Sequence, residues 1–202
     1  MNQIYALTDQ NFTPNNTLKA QINELLNSGV KIIQYRNKSQ NHDISLLKEI
    51  AKICKSYNSK FIINDDVNLA KIVQASGVHI GKDDESLKRA RDILGYEAFI
   101  GVSCYSNLNL ARNAIKNGAD YIAFGSLFPS SSKPNAPLCP LNIIKEARLK
   151  FKEKIAVIGG INSSNLNLIK DIGVDYIAII SALYTGGPIK DNIDKLNRAL
   201  KG

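Results

Sequence analysis

Cysteine, histidine and long apolar runs are all scarce in this chain, and each scarcity narrows its chemistry. Three cysteines stand far apart, at Cys54, Cys104 and Cys139. An odd number without a CxxC pair excludes a disulfide framework and a thiolate metal site. Three reduced thiols and a cytoplasmic location are expected instead. No apolar stretch is long enough to cross a bilayer, so no membrane role is expected. The opening MNQIYALTDQ has no basic segment ahead of an apolar one, so no secretory leader is expected either. There are only two histidines, and no Ser–His or Cys–His arrangement that would supply a strong nucleophile. His79, inside a strand, reads as a packed, hydrogen-bonded histidine, and His42, in a polar stretch, as a surface one.

With 202 residues, 44% of them apolar, the chain suits one domain spanning residues 1–202. The formal charge of +8 could indicate nucleic acid or an anionic substrate. The Lys and Arg residues are scattered singly, many on outer helix faces, so a solvated surface is the reading and no nucleic acid is expected.

What the chain has in abundance is alternation. Short β-branched or aromatic runs begin at Ile4, Ile32, Phe61, Val78, Phe99, Tyr121, Ile155 and Tyr176. Stretches of helical period follow each, over residues 16–28, 44–57, 67–75, 86–94, 107–117, 141–151, 164–172 and 190–200. Expected N-caps are Asn16, Asp84, Ser106, Ser163 and Asp191. Gly29, Gly95, Gly118 and Gly173 close four of the helices. Eight strand–helix units imply a parallel sheet, and eight most simply close into a (β/α)8 TIM barrel. The rival is a doubly wound open sheet, which usually has fewer strands and a glycine-rich first turn. The first turn here, Thr8-Asp9-Gln10-Asn11, has no glycine. A repeated αβ turn, as in KNGADYIAFG and KDIGVDYIAII, supports the barrel.

In a barrel the chemistry collects where the strands end. Strand two ends in Gln34-Tyr35-Arg36-Asn37-Lys38, whose alternation aims Gln34, Arg36 and Lys38 at the mouth, where Arg and Lys suit phosphate. Strands three and four end in Asn64-Asp65-Asp66 and Lys82-Asp83-Asp84. Carboxylates from adjacent strands, completed by water and phosphate, suit Mg²⁺. Asp65 and Asp84 form the expected metal pair, while Asp66 and Asp83 read as helix N-terminal charges. Ser103 ends strand five. Gly159-Gly160 and Ser181, after strands seven and eight, offer backbone and hydroxyl donors to a second, single phosphate. The loop of residues 126–140 carries four of the six prolines and Ser130, Ser131, Ser132 and Lys133, and reads as a lid or phosphate-gripping loop.

In order and spacing, IYALTD, GVKIIQYRNK, INDD, GVHIGKDD, GVSC, GADYIAFGSLFPSSSK, AVIGGI and AIISAL resemble the thiamine-phosphate synthase family over essentially the whole chain. The resemblance implies a transferase that couples a pyrimidinylmethyl diphosphate to a thiazole phosphate, with one Mg²⁺ per subunit. It implies that Gln34, Tyr35, Arg36, Asn37, Lys38, Asn64, Ser103 and Lys133 hold the pyrimidine diphosphate, with Arg36, Lys38 and Lys133 acting on the leaving group. Ser130, Ser131, Ser132, Gly160, Ile180 and Ser181 would line the thiazole phosphate site. Relatives usually carry threonines where this chain has Ser130 and Ser132. A sister family of thiazole tautomerases uses a histidine near Tyr105, and the tyrosine here argues for the synthase. A non-enzymatic barrel is the remaining alternative, and a homo-oligomer is possible on either reading.

Overall fold

The computed structural model describes residues 2–39, 41–81, 87–130 and 135–201. Eight parallel strands close into a barrel in simple sequence order, and the last pairs with the first. They are β1 (Gln3–Leu7), β2 (Ile32–Tyr35), β3 (Lys60–Asn64), β4 (Gly77–Ile80), β5 (Phe99–Tyr105), β6 (Tyr121–Gly125), β7 (Lys154–Ile158) and β8 (Tyr176–Ile179). The helices between them are α1 (Asn15–Asn27), α2 (Ile44–Ser56), α3 (Val67–Val73), α4 (Leu87–Leu94), α5 (Leu108–Lys116) and α6 (Leu141–Lys150). The short α7 (Ser181–Tyr184) and the long α8 (Ile189–Lys201) follow β8. The TIM barrel expected from the alternation is therefore present. None of the described helices is long and apolar enough to cross a membrane.

Strands in such a barrel are buried on both faces, one against the helices and one against the barrel axis. Outward-facing Ile33, Ile63, Val78, Ile100, Ile122, Val157 and Ile177 pack under the helices in one apolar layer. Inward-facing Tyr5, Ile32, Ile62 and Tyr121 form a separate cluster on the axis, joined by the partly buried Phe99 and Tyr176. Tyr121 stacks on Phe99 with ring centroids 5.1 Å apart and meets Tyr176 edge-on at 5.8 Å. This aromatic plug needs Gly101 beside it on β5: a Cβ there would lie 1.9 Å from the Tyr121 ring.

Two helix starts are as the residue types dictate. The carboxylates of Asp43 and Asp66 accept the Leu46 and Leu69 amides and cap α2 and α3. Three expected caps lie one residue or more away from the observed helix starts. Asn107, not Ser106, caps α5, and Asn16 lies inside α1, which begins after Pro14. Asp191 falls in the first turn of α8, and Asp84 lies outside the described residues. The helix expected over residues 164–172 is replaced by two 3₁₀ turns, Leu166–Leu168 and Lys170–Ile172, so Ser163 caps no α-helix. Asn162 and Asn165 account for this. The Asn162 carboxamide oxygen accepts from Ser164 N, the Asn165 oxygen from Asn162 N, and the Asn165 amide donates to Gly160 O. Side chains thus take the backbone groups that a regular first turn would use.

The repeated αβ turn acquires a mechanical meaning at the N-terminal end of the barrel. Asp120, just before β6, accepts the Ile100 amide and pairs with Arg91 of α4. Asp175, just before β8, accepts the Ile155 amide and pairs with Arg148 of α6 and with Lys154. Each aspartate ties its own strand to the preceding strand and to a helix, so the two echoed sequences build the same brace.

Candidate active site

A cavity of about 640 Å³ opens where the strands end. Its volume follows from the side chains on the axis. The N-terminal half of the barrel is plugged by aromatic rings. In the C-terminal half, β6, β7 and β8 present the small Ala123, Ala156 and Ala178 to the same space, with Ile158 at the end of β7. Small inward residues above large ones leave a basin whose floor is Tyr5 and Tyr121.

Residues from distant parts of the sequence meet on its wall. Gln34, Arg36, Asn37, Lys38, Asn64, Asp65 and Ser103 line one sector, and Ser130, Gly160, Ile180 and Ser181 line the other. Tyr35 is the exception among the described residues expected here. It points outward into the layer beneath the helices, 4% exposed, and its hydroxyl meets His42 Nδ1 and the Asn37 amide. Strand alternation requires this, since Gln34 and Arg36 take the inner face. Asp84, Ser131, Ser132 and Lys133 lie outside the described residues. His42 differs from its expected surface position. It is half-buried against the Tyr35 ring and reaches the cavity wall.

Arg36 is held by residues the sequence did not flag. Asp9 Oδ2 accepts from its Nη1 at 3.3 Å, with 11% and 10% of the Arg36 and Asp9 side-chain surfaces exposed. Thr8 Oγ1 accepts the Arg36 amide at 2.9 Å. Asp9 in turn accepts from Asn11 N, and its backbone carbonyl accepts from the Thr13 hydroxyl. The end of β1 thus fixes the guanidinium while leaving most of its donors for an anion.

Backbone conformation at the rim is unusual. Asp65 and Tyr105 adopt positive φ of 65° and 56° although neither is glycine, a strain that clusters at functional sites. Asp65 presents an exposed carboxylate beside the Asn64 side chain. This oxygen donor suits a hard cation completed by water and phosphate, although no group of three acidic, histidine or cysteine side chains gathers among the described residues. At Gly160 φ is 61°, and a Cβ would lie 2.3 Å from Pro129 O, so the β7 loop can pass this close to the 126–140 loop only with glycine there.

The thiols take no part in the basin. All three are free and buried, and burial pushes Cys54 and Cys104 up to about 12 and Cys139 up to about 11. They remain protonated and unreactive near neutrality.

With this geometry in place, comparison with known proteins decides the family. Residues 4–183 match the sequence model of the thiamine monophosphate synthase family. The chain belongs to that family. It is 40% identical to a thiamine-phosphate synthase of Halorhodospira halophila, over 90% of this chain and 86% of that protein. It is also 40% identical to the thiamine-phosphate synthase of Thiobacillus denitrificans, over 96% and 93%. Among solved structures, the thiamine phosphate pyrophosphorylase of Pyrococcus furiosus superposes with a TM-score of 0.85 at 30% identity, covering 98% of this chain and 95% of that one.

Proposed function

We propose that the protein is a thiamine-phosphate synthase: a transferase that joins a pyrimidinylmethyl diphosphate to a thiazole phosphate, yielding thiamine phosphate and pyrophosphate. The observation that carries this reading is the division of one basin into two unlike sectors. The β2–β5 sector offers Arg36, Lys38, Asn64 and Asp65, which suits a diphosphate with a cation. The β6–β8 sector offers Ser130, Gly160, Ile180 and Ser181, neutral donors suited to a single phosphate beside an apolar ring. Family membership supplies the identity of the rings.

In this reading the pyrimidine methylene–oxygen bond breaks, and its electron pair leaves with pyrophosphate. The ring amino group delocalises the cation, and the lone pair of the thiazole nitrogen forms the new carbon–nitrogen bond. The protein supplies positive charge against the departing diphosphate from Arg36, Lys38 and Lys133. It also holds the two substrates together in one basin, which makes their coupling effectively unimolecular. No protein nucleophile is needed, in keeping with three protonated, buried thiols. Asp65 with Asp84 would hold one Mg²⁺ per subunit, which supplies further charge neutralisation when bound. Asn37 would contact the same diphosphate. A cytoplasmic location accords with the free thiols. We assign no nucleic-acid partner, since exposed lysines such as Lys19, Lys150 and Lys190 pair with neighbouring carboxylates on the helix surfaces.

The deciding experiment gives the purified protein both substrates with and without Mg²⁺. Thiamine phosphate and pyrophosphate in equal amounts, only with Mg²⁺, are expected. Consumption of the thiazole alone would replace the synthase with an isomerase on the same barrel.

A further inference from the structure

Five polar side chains from five different strands form one continuous line of hydrogen bonds across the floor of the basin. Gln34 Nε2 on β2 donates to the Tyr5 hydroxyl on β1 at 2.8 Å. The Tyr5 and Tyr121 hydroxyls, on β1 and β6, lie 2.9 Å apart. Tyr121 meets His79 Nδ1 on β4 at 2.9 Å, and His79 Nε2 meets Ser103 Oγ on β5 at 2.9 Å. Gln34, Tyr5 and Tyr121 are at most 2% exposed, and burial holds both phenols well above the ordinary tyrosine range, so each keeps its single proton.

Counting protons gives the line a direction. An amide nitrogen only donates, and a phenol has one proton to give. Tyr5 accepts from Gln34 and therefore donates to Tyr121. Tyr121 accepts from Tyr5 and therefore donates to His79 Nδ1. With Nδ1 accepting, the neutral imidazole carries its proton on Nε2 and donates it to Ser103 Oγ. The Ser103 hydroxyl proton is then left to the cavity, which Ser103 lines.

We propose that Gln34, Tyr5, Tyr121 and His79 are positioning residues: they fix the direction of this line, so that Ser103 donates to a ring-nitrogen acceptor of the pyrimidine substrate and selects against a ring carrying N–H there. The inference rests on the synthase reading for the identity of the ring, but the direction of the line is a property of the free protein. Such a buried polar line discriminates because a mismatched ring leaves one member unpaired.

Histidine tautomers read the direction without any ligand. The chain has only two histidines, so imidazole ¹⁵N spectra of the unliganded full chain resolve His79 directly. A pyridine-like Nδ1 and a pyrrole-like Nε2 are expected; the opposite tautomer overturns the proposal. Gln34→Glu replaces the donor with an acceptor, which should turn every bond around and move the proton to Nδ1. An unchanged tautomer in a folded variant likewise overturns it. Should that variant fail to fold, Tyr121→Phe cuts the line while keeping the ring. The preference for the aminopyrimidine diphosphate over its oxo analogue, measured as the ratio of kcat/KM, should then fall by about tenfold or more. An undiminished preference overturns the proposal. If the unaltered protein couples no substrates at all, the synthase reading falls and with it the ring, while the spectra still decide the line.

Discussion

The two ends of the barrel handle charge in opposite ways. At the N-terminal end, Asp120 and Asp175 each meet a backbone amide and an arginine, so their charges are matched within the protein. At the C-terminal end, Lys38 forms no ion pair among the described residues, and Arg36 gives Asp9 only one of its five donors. One end spends its charges on holding strands together. The other keeps them in reserve for something that arrives. One barrel of eight strands separates stability from chemistry by which end of the strand a residue occupies.

That contrast predicts which substitutions affect activity and which affect stability. Arg36→Ala should lower kcat/KM by about a thousandfold in the coupling assay, as removal of one preorganised charge does elsewhere. A loss below tenfold would place the diphosphate away from β2. Asp175→Ala should cost about 3 kcal/mol in urea unfolding, because it strands a backbone amide and part of two cations, and should leave kcat within about twofold. A large fall in kcat with normal stability would blur the two ends. Ala123→Leu fills the basin from β6. It should raise KM about tenfold while changing stability by under about 1 kcal/mol, since the added methyl groups enter space already open. Leu149→Ser, on a residue 89% exposed, should move stability by no more than about 0.5 kcal/mol. A larger loss there, dependent on protein concentration, would reveal an interface between copies of the chain.

The barrel was readable because its pattern is redundant. Eight β-branched runs and a recurring αβ turn all point to one topology, and a boundary error at Ser106 or Asn16 changes nothing downstream. The turns at Leu166–Leu168 and Lys170–Ile172 were not readable as such. Their apolar spacing is helical, but Asn162 and Asn165 intercept the backbone groups, a competition that periodicity does not register. The site divides similarly. Arg36, Lys38, Asn64 and Gly160 stand at strand ends, where alternation alone aims them inward. Tyr35, between Gln34 and Arg36, obeys the same alternation and so packs outward. Tyr5, Tyr121 and the three alanines went unflagged because strands buried on both faces hide which apolar residues face the axis. Asp9 could have been found by asking which acid faces a buried arginine on the neighbouring strand.

The pairing of β1 with β8 carries a consequence for synthesis. Gln3 and Ile4 find their partners at Tyr176 and Ile177, and Asn2 reaches Lys170 O, at the far end of the polypeptide. During translation the opening strand therefore waits, with one edge uncovered, until β8 has left the ribosome. A nascent chain halted before β8 should expose that edge as a template for association, and chaperone dependence should concentrate in this interval.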